Sequence, residues 1–230
     1  MIMVITGTRK GIGKGIALHY LEKGHMVLGC SRGEGTIEHP RYRHYQADVS
    51  NDEQVQAMVK SIRQQENQVD VLINNAGAAA MNHLLLTPTA KARQLLEVNT
   101  LGTMVMTREM CRLLRRSPGG RIVNFTTVAV PLNLEGEAVY AASKAAVETL
   151  TRIGAKELAP YGITVNAVGP APVKTDLIAG VPEEKIQGLL KQQAIHAFGT
   201  IEDVIHVIDF FVKPESRMIT GQVVYLGGVF

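Results

Sequence analysis

The sequence predicts an α/β chain: one doubly wound parallel sheet of about seven strands, with helices on both faces. Two observations predict it. Short apolar runs alternate with longer helix-like segments along the whole chain. The strand runs are apolar at consecutive positions, as in Ile2 to Ile5. Strands covered on both faces read this way. No linker, repeat or low-complexity stretch interrupts the series, so residues 1–230 are read as a single domain.

The elements follow in order. Ile2 to Ile5 is the first strand, followed by a glycine-rich turn and a helix to about Lys23, with Gly24 as its C-terminal cap. Met26 to Leu28 is the second strand and Tyr42 to Ala47 a weaker third. Ser50 and Glu53 have the spacing of a capping box, opening a helix to about Gln65. Val69 to Ile73 is strand four. One long helical stretch is expected from about Lys91 to Arg116, ended by Ser117-Pro118-Gly119-Gly120. Arg121 to Phe125 is strand five, Ala138 to Leu158 a helix, and Thr164 to Val168 strand six. Helices are expected at Pro182 to Ala197 and Ile201 to Val212, with a last strand at Gln222 to Leu226.

Composition narrows the function. Hydrophobic residues make up 46% of the chain, too many for a disordered one. No run of roughly 18 apolar residues occurs, so no membrane span is expected. The net charge of +3 is mild, and the cluster Arg112, Arg115 and Arg116 closes a helix, where it complements the dipole. Aromatics are 5%, and nucleic-acid binding is set aside. Cys30 and Cys111 form no Cys-x-x-Cys pair, and no His, Cys and carboxylate cluster has ligand spacing; no metal is expected. No leader precedes the first strand, and a cytoplasmic location is expected.

The first turn reads Thr6-Gly7-Thr8-Arg9-Lys10-Gly11-Ile12-Gly13. It follows a strand and opens a helix, the context in which glycines bring backbone N–H groups and a helix N-terminus against a dinucleotide pyrophosphate. An acid ending the second strand would bind a ribose 2′-hydroxyl; an arginine would accept a 2′-phosphate. Here Ser31 and Arg32 stand there, with Arg9 or Lys10 as a second cation. NADP(H) is therefore favoured over NAD(H). Asp48 either accepts from the adenine amino group or simply precedes the Ser50 cap.

These residues resemble those of the short-chain dehydrogenase/reductase family. The matches are Thr6-Gly7-x-x-x-Gly11-x-Gly13, Asn74-Asn75-Ala76-Gly77, Asn99, Tyr140-x-x-x-Lys144 and Pro170 through Thr175-Asp176, in the family's order. The ending Ile219-Thr220-Gly221-Gln222 with Gly227-Gly228 resembles the 3-oxoacyl-(acyl-carrier-protein) reductase branch. The resemblance implies a single-domain Rossmann fold and hydride transfer between a nicotinamide and a carbonyl or secondary alcohol. It adds Ile12, Val49, Asn75, Ala76, Gly77, Pro170, Val173 and Thr175 to the cofactor-binding set. It implies that the Asn99 carbonyl holds a water against Lys144, and that Lys144 orients the cofactor ribose. It implies a homotetramer, or a homodimer, built on the helices around Lys91–Arg116 and Ala138–Leu158.

Residue chemistry points the same way. Tyr140 and Lys144 are four apart on a predicted helix and share a face. A nearby ammonium is expected to lower the tyrosine pKa from about 10. Tyr140 then serves as general acid in reduction and general base in oxidation. The family places a serine thirteen residues before the tyrosine; here it is Thr127, a departure that keeps the hydroxyl and adds a methyl. Thr126 should point to the opposite face. A second departure is Ala171 after Pro170, where the family has glycine. These two departures motivate an alternative, a dinucleotide-binding sensor or scaffold with weak or no turnover. Substrate contacts are expected from Ala78 to Leu86, Val130 to Glu137 and a short lid, Asp176 to Gly199, which leaves a fairly open pocket. Leu84, Leu132, Leu134 and Leu177 suggest apolar walls, and His196 is a further candidate contact.

Overall fold

The structure is a computed structural model and describes residues 1–229. Seven strands form one all-parallel sheet in the order β3-β2-β1-β4-β5-β6-β7. They are β1 (Ile2–Thr6), β2 (Met26–Ser31), β3 (Tyr42–Gln46), β4 (Val71–Asn74), β5 (Arg121–Phe125), β6 (Thr164–Gly169) and β7 (Val223–Tyr225). The strand order reverses between β1 and β4, whose ends Thr6 and Asn74 lie side by side. A crevice opens at such a switch point, outside the carboxyl ends of the strands.

Strand pleating divides the core. Val4, Leu28, Leu72 and Ile122 face one side, against α2 (Asp52–Gln65) and α4 (Gly102–Leu114). Met3, Ile5, Ile73 and Val123 face the other, against α1 (Gly11–Glu22) and α8 (Ile201–Val212). Side chains alternate across a strand, so a consecutive apolar run feeds both layers. Each fully buried large aliphatic contributes about 1.5–3 kcal/mol. Among the described residues, no helix is long and apolar enough to cross a membrane.

Three expectations of local structure are corrected. The stretch from Lys91 to Arg116 is not one α-helix. It divides into α3 (Thr89–Leu96), a π-helical turn (Glu97–Leu101) and α4. The wide turn places Asn99 so that its side chain exchanges two hydrogen bonds with the backbone of Ala78. Gly102 follows the turn directly, but the Ala78 partner of Asn99 comes from a loop distant in sequence. Ser50 is not the cap of α2. Asn51 accepts from the Gln54 N–H at 3.0 Å, while the Ser50 hydroxyl donates to Asp48. The helix expected to reach Ala197 stops as α7 (Glu183–Leu190). Beyond it, the Ala194 and Ile195 N–H groups donate to the Gly228 and Gly227 carbonyls, a tertiary pairing incompatible with helix.

Two further helices complete the site's frame. They are α5 (Ala129–Leu132) and α6 (Ala138–Leu158). The inner stripe of α6 is largely polar: Ser143, Lys144, Val147, Glu148, Thr151 and Ala155 are buried. Its polar members find partners, as in Asn124, which donates to Thr151 at 2.9 Å. Polar groups buried this way need such bonds.

Candidate active site

The glycine turn is built for close approach. Gly7 has φ +79°, and a Cβ there would meet the Asn75 side chain at 2.8 Å. That Asn75 amide donates to the Thr6 carbonyl, and the Ala76 N–H donates to the Thr6 hydroxyl, both at 2.8 Å. The ends of β1 and β4 are thus locked together. No side chain caps α1, and its first turn carries no acid. Its N–H groups are left for an anion, which fits a pyrophosphate.

At the end of β2 the Ser31 hydroxyl donates to the Gly33 carbonyl at 2.9 Å. His44 bonds both Gly33 and Ser31 through Nε2, and its Nδ1 meets the Tyr42 hydroxyl, which meets Thr8. Arg32 is exposed, and the Arg9 guanidinium lies over Gly33. No carboxylate ends this strand. Lys10 is engaged elsewhere, in an exposed ion pair with Asp176 at 2.8 Å. Asp48 uses Oδ1 for the Ser50 N–H and hydroxyl. Val49 is buried in the core against Gly102.

A cavity of about 910 Å³ opens at the carboxyl ends of the strands. Ile12, Asn75, Gly77, Thr127, Tyr140, Lys144, Pro170, Val173 and Thr175 all line it. Leu132, Leu134 and Leu177 also face it. Leu84 is 64% exposed, and His196 is exposed and bonds the Leu190 carbonyl; neither lines the cavity. Ala171 has an ordinary negative φ, so the loop after β6 does without glycine's freedom.

Thr126 and Thr127 point apart, as strand alternation requires. The Thr126 hydroxyl donates to buried Glu148 at 2.7 Å. The Thr127 side chain is a hydrogen-bond partner of the Tyr140 phenol. The expected lowering of the tyrosine by lysine is corrected. Burial pushes Tyr140 up to about 12, and Glu137's charge adds to the rise; the Thr127 hydrogen bond opposes both. Lys144 instead donates to the Phe125 carbonyl at 2.9 Å, and burial pushes it down to about 8. The ammonium is anchored to the end of β5, not to the phenol.

Asn99 is fully buried and sits beside this group. A Cβ on Gly77 would stand 3.2 Å from Asn99 Oδ1 and 3.4 Å from Lys144 Nζ, so the glycine lets both groups approach the main chain closely. The Asn99 carbonyl accepts from the Thr103 hydroxyl at 2.8 Å. Its side-chain amide donates to Ser143, whose hydroxyl donates to the Tyr140 carbonyl. Glu137, at the end of an expected substrate-contact segment, does line the cavity, whereas sequence reasoning missed Ser143 and the pair Tyr42 and His44. Only the last had a signal, two polar rings at strand spacing on one face of β3.

Comparison with known proteins agrees with this geometry. Residues 7–228 match a family model described as enoyl-(acyl carrier protein) reductase. The chain is 30% identical over 235 residues to 3-oxoacyl-(acyl-carrier-protein) reductase of Staphylococcus epidermidis, covering 98% of this chain and 96% of the relative. It is 31% identical over 251 residues to NADPH-dependent aldehyde reductase 2, chloroplastic, of Arabidopsis thaliana, covering 99% and 92%. A solved structure of 4-hydroxyisoleucine dehydrogenase complexed with NADH superposes with a TM-score of 0.88 at 25% identity, covering 99% of this chain and 97% of that one. The chain belongs to the short-chain dehydrogenase/reductase family of oxidoreductases.

Proposed function

We propose that this protein is an NADP(H)-dependent carbonyl reductase and secondary-alcohol dehydrogenase acting on a small molecule. One observation carries the reading: Thr127, Tyr140 and Lys144 line the same cavity as Ile12 of the glycine turn. When bound, the nicotinamide supplies or accepts the hydride. Tyr140 and Thr127 donate to the substrate oxygen as negative charge develops on it. Tyr140 delivers the proton in reduction and removes it in oxidation. Burial favours its protonated form, which suits the reductive direction. Lys144, anchored to the Phe125 carbonyl, orients the cofactor ribose. Asn99 sets the Lys144 side of the cavity through Ala78 and Ser143.

Arg32, Arg9 and the missing acid at the end of β2 support NADP(H) over NAD(H). The name of the Arabidopsis relative is in keeping with this, whereas the 4-hydroxyisoleucine dehydrogenase structure holds NADH. Exposed Leu96, Leu101, Met104 and Ile153 lie on α3, α6 and the turn and helix between them. Their exposure on these helices supports a homotetramer or homodimer that would cover them, and a cytoplasmic location completes the proposal. The test is cofactor oxidation with a panel of ketones, keto-sugars and 3-oxoacyl thioesters. Turnover that prefers NADPH is expected. NADPH binding with no turnover on any of them would instead favour a sensor or scaffold.

A further inference from the structure

Glu137 lines the reaction cavity and has no structural duty there. It immediately precedes α6 and stands three residues before Tyr140, so both lie on the helix's first turn. Glu137 occupies the N-cap position of α6 but makes no side-chain cap bond. Among the described residues no Lys, Arg or His forms an ion pair with it. Lys185, which also lines the cavity, is not paired with it. Met81, Leu132 and Leu134 supply apolar wall to the same cavity, beside the polar Asn133 and Glu135. The contrast with Glu148 is clear: that buried carboxylate is held by Thr126, Tyr225 and Arg152. A partly buried carboxylate without a donor from the protein is costly. Burial alone pushes Glu137 up to about 7, and its charge reaches the Tyr140 phenol.

Resting on the carbonyl-reductase reading, we infer that Glu137 selects the substrate: it accepts a hydrogen bond from a donor carried beside the reacting carbonyl. The substrate class is a ketone with a neighbouring hydroxyl or ammonium group. The donor completes the carboxylate's hydrogen bonding and holds the carbonyl at Tyr140 and Thr127.

The experiment compares cyclohexanone, 2-hydroxycyclohexanone and 2-aminocyclohexanone with the wild-type protein and with Glu137→Gln and Glu137→Leu. The wild type is expected to favour at least one donor-bearing ketone in kcat/KM by roughly ten- to hundredfold, the range of a charge-assisted hydrogen bond. Glu137→Leu brings that ratio to near one. Glu137→Gln retains part of a hydroxyl preference and loses an ammonium preference, which distinguishes the two donors. A wild-type ratio near one for both, or a ratio unchanged in Glu137→Leu, overturns the inference while leaving the reductase reading intact. No turnover of any ketone by the wild type overturns both.

Discussion

The ammonium of Lys144 donates to the main-chain carbonyl of Phe125 at 2.9 Å, and the Tyr140 phenol one turn away takes Thr127 as its side-chain partner. The two groups share a face of α6 yet are anchored separately. Burial holds Lys144 at about 8, below its ordinary 10.5. Between these values the unfolded chain binds the extra proton, so stability rises with pH across roughly 8 to 10.5. The lysine contributes at most about 3 kcal/mol to that rise. Denaturant unfolding of wild type and Lys144→Met across this range checks it. The variant should show a flatter profile; equal slopes would remove the lysine as the cause.

Tyr140→Phe deletes the proton donor and leaves the ring in place. Carbonyl reduction should fall by roughly 10²–10⁴-fold in kcat, the usual contribution of a general acid. NADPH affinity, read by fluorescence titration, should change little. Near-normal turnover would reassign the proton donor.

Thr127 holds its hydroxyl at the phenol and lines the cavity. Thr127→Ser keeps the donor and should match or exceed wild-type kcat. Thr127→Ala should lower kcat by roughly tenfold or more, the loss of one transition-state donor. Steady-state kinetics with one ketone are enough to separate the two. An alanine variant as fast as wild type would sink the role.

Arg32 is exposed at the end of β2 with no carboxylate beside it on that strand. Arg32→Ala should weaken NADPH by about tenfold, the loss of one charge-assisted contact, and leave NADH nearly unaffected. Titration of both cofactors measures the ratio. A parallel loss for both would mean that Arg32 does not read the 2′-phosphate.

Glu148 ties α6 to the ends of β5 and β7 through Thr126 and Tyr225. Glu148→Ala strands both hydroxyls and should cost about 1–3 kcal/mol of stability. A thermal melt within a degree of wild type would show that the network is replaceable by water.

Much of this molecule is legible from local pattern. The bounds Arg121–Phe125, Ala138–Leu158 and Ile201–Val212 coincide with the sequence expectation, since periodicity and turn chemistry are properties of neighbouring residues. The glycine turn and the shared face of Tyr140 and Lys144 are of the same kind. Three helical features were not legible: the π-helical turn at Asn99, the early end of α7 and the Asn51 cap. The first two answer to Ala78 and to Gly227 and Gly228, which lie far along the chain. The site divides the same way. Sequence by itself determined which groups could exchange protons and hold a dinucleotide. Only the tertiary structure decided their electrostatic state: Lys144 turned to Phe125, Thr127 alone at the phenol, and Glu137 without a donor. Those states depend on desolvation and on partners brought by other strands, which no local spacing encodes.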